Sequence, residues 1–370
     1  MLGHTGVMIR DGGPLDAVGG VTPRWVAQPE SVEEIAVVMG ACADGGLAVT
    51  PAGGRTKLGW AAPPERVDVL LDLSSMHDVL EHVAGDLVVR VQAGIPVTRL
   101  AEVLAKAGQA LALDVPFPDA TIGGTLAAPS PGPRAFRYGN ARDLLIGVTV
   151  VLADGTIARA GGKVVKNVAG YDLGKLFTGS YGTLGVIAEA TFRLHPIPAD
   201  RRWLSFECEG WEDAGDLLRS QLEPSAVEID HPAEGLSTVA ALFEGPAAEQ
   251  RALAARELFE GGDVHTEAPA WWGQPPGSPL HSLRCRVAPS VPDGISVRGS
   301  LATGVYLASG STDLDAWRSA LPDHARLVGL SGDLTGDRWG PIPSLPLMRR
   351  VKERFDPERR MSPGRLAGGL

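Results

Sequence analysis

Apolar and polar positions in the first half of the chain switch between a strand-like and a helix-like period, which predicts a mixed α+β fold. Short runs of β-branched and apolar residues predict strands. Ser31 stands three residues before Glu34 as in a capping box, and the apolar face of an amphipathic helix follows, formed by Ile35, Val38, Met39 and Cys42. Strands are predicted over residues 25–28, 47–50, 67–73, 86–92, 111–113, 144–152, 156–160 and 186–194, and helices over 31–44 and 96–108.

The second half of the chain has a weaker pattern and most of the tryptophans. A helix carrying Leu253 and Leu258 is predicted over residues 247–259, and a strand over 305–309. Because 370 residues exceed what one hydrophobic core usually holds, we expect two domains.

Composition and charge exclude several classes of protein. The 34 Lys and Arg residues against 44 Asp and Glu give a net charge of −10 without any basic run, so nucleic-acid binding is not expected. Cys42, Cys208 and Cys285 lie far apart, so the chain alone should hold neither an iron–sulfur cluster nor another metal. No apolar run approaches the ~20 residues of a membrane helix, and the N-terminus lacks a secretory signal pattern. We therefore expect a cytoplasmic protein without a transmembrane segment.

The stretch V-T-P-A-G-G-R-T-K-L-G-W at residues 49–60 is the strongest candidate for ligand binding. Gly53 and Gly54 remove Cβ atoms, so backbone N–H groups can converge on a phosphate, and Thr56 adds a hydroxyl. Neither of the two common nucleotide-binding motifs is present, so this would be another kind of phosphate loop. An ordinary turn after a strand is the alternative interpretation.

Two further glycine-rich segments predict close backbone approaches. The first spans residues 114–140, where Gly123 and Gly124 indicate either a ligand contact or a tight helix start packed on a strand. The second spans residues 161–186 and carries glycines at an energetic cost of ~1 kcal/mol each inside regular structure. We interpret it as the wall of a binding pocket.

Five motifs, in this order and spacing, resemble a known family. They are P-A-G-G-R-T, T-I-G-G-T-L-A-A, Y-G-N-A-R-D-L-L-I-G-V, K-N-V-A-G-Y-D-L and G-S-Y-G-T-L-G-V-I, and the C-terminal V-K-E-R-F-D-P-E-R-R-M-S-P-G-R is similar to the closing motif of the same family. The chain resembles the vanillyl-alcohol oxidase and p-cresol methylhydroxylase (PCMH) superfamily of FAD-linked oxidases, and within it the E-subunit family of glycolate oxidases. The resemblance covers about residues 25–198 and 345–366.

The resemblance implies an architecture of three parts. Residues 1–198 would form a PCMH-type FAD-binding domain of two α+β subdomains, about 1–60 and 61–198. Residues 199–344 would form a smaller α+β cap or substrate-type domain. Residues 345–370 would return to the FAD-binding domain.

The resemblance also implies a noncovalent FAD and its contacts. Residues 52–57 would cradle the pyrophosphate, residues 121–124 would continue the cradle toward the ribityl chain, and Arg55 or Lys57 would offset the phosphate charge. Some relatives attach the flavin through a histidine near this loop, whereas this chain has Arg55; it also has Ser362 where the family usually has asparagine. The implied cofactor-binding residues are Pro51, Ala52, Gly53, Gly54, Arg55, Thr56, Lys57, Thr121, Ile122, Gly123, Gly124, Tyr138, Asn167, Gly182, Val186 and Ile187.

Two functions from different classes follow from the resemblance. In the first, the chain is the FAD-binding subunit of a glycolate oxidase complex, with a larger FAD-containing hydroxy-acid dehydrogenase subunit and an iron–sulfur subunit as partners. Any peripheral attachment to a membrane would then come from these partners. In the second, it is a self-sufficient FAD-dependent oxidase or dehydrogenase of a small alcohol or 2-hydroxy acid. A cell-wall-type enolpyruvyl reductase and a protein that has lost its ligand are more remote alternatives.

The catalytic base is not identifiable in the sequence. Family members that oxidise 2-hydroxy acids carry a G-D-G-N-x-H element in the cap, and this chain has none. Arg284 or Arg286 could bind a substrate carboxylate, but the scattered histidines are expected to be surface or structural residues. Those histidines are His231, His265, His281 and His324.

Overall fold

The computed structural model describes residues 2–163, 172–209, 211–259, 261–285 and 291–370. Its elements are helices and strands in three main sheets, so the fold is α+β as expected. Within the described residues no helix is long and apolar enough to cross a membrane.

The first sheet has the order β1-β2-β4-β3, with β2, β3 and β4 parallel. Helix α1 begins at its predicted cap, where Ser31 Oγ accepts a hydrogen bond from Glu34 N, and its four predicted apolar residues are fully buried in the core that it shares with this sheet. The first sheet extends past residue 60, the predicted limit of the first subdomain, because its central strand β4 lies beyond that residue. The bounds are β1 Met8–Asp11, β2 Trp25–Gln28, α1 Val32–Asp44, β3 Val49–Ala52 and β4 Val69–Asp72.

The second sheet is antiparallel, with the order β5-β6-β10-β8-β9, and a small two-stranded sheet joins β7 to β11. The strand predicted over 111–113 is wrong: the pairing lies at 109–110, where β11 ends opposite it. The bounds are β5 Val79–Val83, β6 Val88–Gln92, α2 Val97–Ala105, β7 Gln109–Ala110, α3 Ile122–Ala127, α4 Ala135–Tyr138, α5 Ala141–Leu144, β8 Leu145–Val151, β9 Ile157–Gly161, α6 Leu173–Phe177, β10 Val186–Arg193 and β11 His195–Pro196.

The third sheet is antiparallel and has eight strands in the order β15-β12-β14-β13-β17-β18-β16-β19. One face packs against three helices and forms a separate hydrophobic core. The helix predicted over 247–259 is confirmed as α8, which presents small residues to this core, while Leu258 is 52% exposed. The bounds are β12 Arg201–Cys208, α7 Glu212–Arg219, β13 Ala226–His231, β14 Ser237–Glu244, α8 Ala248–Leu258, β15 Asp263–His265, β16 Leu280–Arg284, β17 Ser296–Ser300, β18 Val305–Ser309, α9 Leu314–Ala320 and β19 Arg326–Ser331.

The C-terminal segment begins with α10 (Leu345–Phe355) and packs against the first two sheets. Buried Lys352 donates hydrogen bonds to the carbonyls of Thr183 and Met361 and pairs with Asp356 at 2.7 Å. Met361 forms a parallel bridge with Val49, directly before the glycine loop. The segment therefore holds both the loop and the start of β10, whereas the three domain limits stay predictions.

Candidate functional site

The glycine loop follows strand β3 and forms one wall of a cavity. Residues 51–58 line this cavity together with residues of the predicted segments around 121–124 and 182–187. A Cβ on Gly53 would overlap the side chain of Thr121, and a Cβ on Gly54 would overlap the carbonyl oxygen of Asp119. These glycines let two loops of the protein touch each other, so they shape the cavity by packing as well as by leaving room for a ligand.

Arg55 takes a role that the sequence did not reveal. Its φ of 60° lies in the left-handed region, and its guanidinium makes ion pairs of 2.7 Å with both Asp16 and Asp72. Hydrogen bonds from Arg10 and Arg55 hold the pKa of Asp16 well below its usual range. The side chain of Arg55 is thus committed to the protein, and the prediction that it could neutralise a phosphate is not supported by this geometry.

Lys57 is a buried cation that lines the cavity and has no carboxylate partner among the described residues. The residue is 8% exposed, and its Nζ donates to the carbonyl oxygen of Ala128 at 2.8 Å. Burial lowers its pKa to about 8, and no carboxylate in the described part of the chain pairs with it. Because an ammonium has three donors, two remain for an anion.

The segment 121–124 begins helix α3. Thr121 Oγ1 accepts from Gly124 N at 3.3 Å, and a Cβ on Gly123 would press on Ala93, so the helix start packs tightly on a neighbouring backbone and also lines the cavity. The tight helix start is therefore confirmed, and the ligand contact stays a prediction. Ile122 is fully buried in the core and does not line the cavity.

The start of β10 closes another side of the cavity. Gly182, with φ of 72°, and Ile187 line it, whereas Val186 is fully buried behind them. Three polar lining residues were missed: Ser180, Tyr181 and Arg365. They lie inside the G-S-Y-G and S-P-G-R motifs, so their presence in these motifs was the available signal.

Arg365 and Ser180 bring polar atoms without partners to this cavity. Arg365 donates through Nη2 to the carbonyls of Leu58 and Trp60, its Nε has no partner, and burial lowers its pKa to about 10. Ser180 Oγ is also buried without a partner. Buried polar groups normally have partners, so these two atoms are available to a polar ligand.

Two predicted residues lie elsewhere. Tyr138 does not line the cavity: its hydroxyl donates to Glu244 Oε2 at 2.9 Å and joins the 135–138 helix to the third sheet. Asn167 lies outside the described residues. Ser362 Oγ contacts Thr50 Oγ1 at 3.4 Å beneath the loop.

A second cavity of about 370 Å³ lies between the segments around residues 129–133 and 179–181 and the third sheet. Tyr181 lines both cavities, and burial raises its pKa to about 12. Glu228, 4% exposed, faces the second cavity together with Arg284. Arg286 lies outside the described residues.

Comparison with known proteins decides the family. The model of an FAD binding domain matches residues 23–161. The glycolate oxidase subunit GlcE of Escherichia coli is 31% identical over 276 residues, which cover 73% of this chain and 68% of that protein. The chain belongs to the family of FAD-linked oxidases. FAD is accordingly its cofactor, and the buried cationic donors around the glycine loop fit a pyrophosphate.

Other FAD-linked oxidases share shorter regions with this chain. The mitochondrial D-lactate dehydrogenase [cytochrome] 1 of Saccharomyces cerevisiae is 38% identical over 56% of this chain, and the glycolate oxidase subunit GlcD of Bacillus subtilis is 33% identical over 57%. The chain spans only 36% and 46% of the lengths of these two relatives. A carbohydrate oxidase from Microdochium nivale, 18% identical, superposes with a TM-score of 0.71 over 97% of this chain and 96% of its own, and confirms the fold.

Proposed function

We propose that this FAD-linked oxidase is the FAD-binding subunit of a glycolate oxidase complex. In that complex it takes part in the oxidation of glycolate, or of a similar 2-hydroxy acid, to the 2-oxo acid. The carrying observation is the pair of buried cations, Lys57 and Arg365, beside a glycine cradle in a chain similar to a glycolate oxidase subunit.

Each cavity residue has a definite task in this proposal. Lys57 neutralises pyrophosphate charge, backbone N–H groups of residues 53–57 bind its oxygens, and Arg365 and Ser180 complete the polar contacts. FAD supplies the two-electron oxidant. Neither histidine nor cysteine occurs among the described residues that line this cavity, which supports noncovalent binding.

The proposed partners are a larger FAD-containing hydroxy-acid dehydrogenase subunit and an iron–sulfur subunit. Similarity to both GlcD and GlcE subunits supports an assembly of unlike chains. Electrons would leave this assembly toward a further acceptor. We place the assembly in the cytoplasm, with any membrane association provided by the partners.

The second candidate function is a self-sufficient oxidase or dehydrogenase. It is favoured by the second cavity, which holds a buried carboxyl, Glu228, and an arginine, Arg284, next to the cofactor region. In the first function this cavity would serve the assembly, whereas in the second it would bind substrate directly.

Anaerobic addition of glycolate and of D-lactate to the purified yellow protein distinguishes the two functions. Flavin absorbance that persists until the partner subunits are added supports the complex. Rapid bleaching of the isolated chain supports the self-sufficient enzyme. A colourless protein that takes up no FAD on reconstitution contradicts both.

A further inference from the structure

The second cavity lies against the face of the third sheet that is turned away from its helices. Residues alternate between the two faces of a strand. Val227 and Ile229 point into the helix-covered core, so Glu228 between them points to the cavity. In β16, Leu283 belongs to that core, and its neighbours Ser282 and Arg284 line the cavity in the same way.

One row of register partners crosses this face from Glu228 to a pair of arginines. Glu228 is opposite Ser300, Ser300 is opposite Val305, Val305 is opposite Arg284, and Arg284 is opposite Arg326. Three strand spacings of about 4.8 Å place the backbones of Glu228 and Arg284 about 14 Å apart. Both side chains line the same cavity, which leaves room for a small molecule between them.

The buried carboxyl of Glu228 has one oxygen without a hydrogen-bond partner. The residue is 4% exposed, the oxygen without a partner is Oε1, and the polar residue Ser300 is its register partner on β17. Burial raises its pKa well above the usual value, and the nearby carboxylate of Asp114 raises it further. A buried carboxyl of this kind, open to a cavity, is suited to exchanging a proton.

The other charged and titratable groups around Glu228 have their own partners or are neutral. Asp114 pairs with Arg134 at 2.7 Å, and Asp230, two residues along β13, pairs with Arg298 at the same distance. Burial raises the pKa of Tyr306, so its phenol is neutral. Ala240 is the register partner on β14 and carries no charge. Glu228 therefore has no cation of its own among the described residues.

The opposed arginines Arg284 and Arg326 predict a negatively charged ligand. Arg284 and Arg326 face each other across β16 and β19, and like charges directly opposite destabilise a sheet. Both line the cavity, and no carboxylate in the described residues pairs with either; Arg326 Nη1 donates only to the carbonyls of Asp323 and Ala325. An anion bound between them would remove the repulsion.

We infer that the second cavity binds a small organic acid carrying a hydroxyl, with its carboxylate at Arg284 and Arg326 and with Glu228 as acceptor of the hydroxyl proton. This rests on the second candidate function, in which the chain's own FAD is the oxidant and this cavity binds substrate directly. With FAD bound as the two-electron oxidant, the O–H proton would pass to the Glu228 carboxylate while the C–H hydrogen left the substrate carbon with its electron pair, and a C=O bond would form. Glu228 would end protonated, and the two electrons would be accounted for by the cofactor.

The test uses the FAD-loaded chain and two readouts. Oxalate is the binding probe, followed through the fluorescence of the tryptophans that line the cavity, Trp60, Trp271 and Trp339. Anaerobic flavin reduction by glycolate and by D-lactate is followed across pH. The variants are Glu228→Gln and Arg284→Met, with exposed controls Glu207→Gln on β12 and Arg256→Met on α8.

Glu228→Gln should bind oxalate within threefold of wild type but reduce its flavin at least 100-fold more slowly. Wild-type reduction should accelerate as pH rises and Glu228 loses its proton, and the variant should lack this inflection. Arg284→Met should weaken oxalate binding at least tenfold. The two control variants should behave as wild type in both assays.

Three results overturn the inference. They are an unchanged pH profile in Glu228→Gln, oxalate binding that is insensitive to Arg284→Met, and a yellow wild type that neither acid reduces even with partner subunits present. In each case the FAD-binding assignment survives. Failure to bind FAD would instead overturn the proposed function, and oxalate titration of the colourless chain and of Arg284→Met would still test the anion site.

Discussion

Replacing Lys57 by methionine should stabilise the FAD-free protein and weaken FAD binding at the same time. Methionine has a similar length and no charge, so the packing below the Trp60 ring, 5.5 Å from Nζ, is largely kept. The ammonium lies in a buried site with one carbonyl acceptor and no carboxylate among the described residues. Without FAD the buried charge destabilises the folded protein, whereas with FAD the same charge contributes to binding.

The magnitude follows from the pKa. Lowering the pKa of Lys57 from 10.5 to about 8 corresponds to about 3 kcal/mol of unfavourable free energy for the charged folded form. The variant also loses the hydrogen bond to Ala128, which offsets ~1 kcal/mol of that gain in stability. The FAD-free variant should therefore be more stable than wild type by about 2 kcal/mol at pH 7.

The pH dependence has a defined sign. Between pH 8 and pH 10.5 the unfolded chain binds more protons at Lys57 than the folded chain does, so the stability of FAD-free wild type should rise with pH across this window. Lys57→Met should lack that contribution. In the FAD-bound protein the pyrophosphate should raise the pKa again and reduce the rise.

The assays are urea unfolding of the FAD-free protein at several pH values and fluorescence titration with FAD at pH 7. A lost charged hydrogen bond of about 1.5–3 kcal/mol corresponds to FAD binding about 10- to 150-fold weaker. Lys106→Met, at an exposed position, is the matched control. Unchanged FAD affinity in Lys57→Met, or destabilisation of the FAD-free variant, would refute the assignment of Lys57 as the cation of the cradle.

Three further substitutions test other parts of the site. Gly54→Ala should reduce both stability and FAD content because its Cβ overlaps a carbonyl of the facing loop, while Gly59→Ala, with open space at its Cβ, should leave both unchanged; equal effects in thermal melts and FAD absorbance would contradict the packing argument. Tyr138→Phe removes a hydrogen bond to buried Glu244, so it should lower the free energy of unfolding in urea by about 1–3 kcal/mol and keep stoichiometric FAD. Loss of FAD would show that this tyrosine contributes to the cofactor site. Because the pKa of Asp16 is lowered on folding, wild type should lose stability as pH falls below about 4, and Asp16→Asn should flatten that loss in acid melts; an unchanged slope would contradict the ion-pair geometry.

Local sequence determined much of the secondary structure. The period of apolar residues and the Ser31 cap were sufficient to predict α1, because these signals act within one or two turns. The strand predictions around 88–92 and 186–193 also succeeded, since β-branched residues there are buried on the pleated surface. The strand at 109–110 was missed because its partner at 195–196 alone fixes its position.

The motifs identified the cofactor cradle, while tertiary structure decided what each side chain does in it. Nothing near Arg55 in the sequence shows that Asp16 and Asp72 will pair with it, and the carbonyl that accepts the hydrogen bond of Lys57 belongs to Ala128, far along the chain. The alignment of Glu228 with Arg284 across four strands likewise exists only after the third sheet forms. Short-range periodicity specifies elements, whereas charge partners and cavities come from residues distant in sequence, so only the folded chain could reveal them.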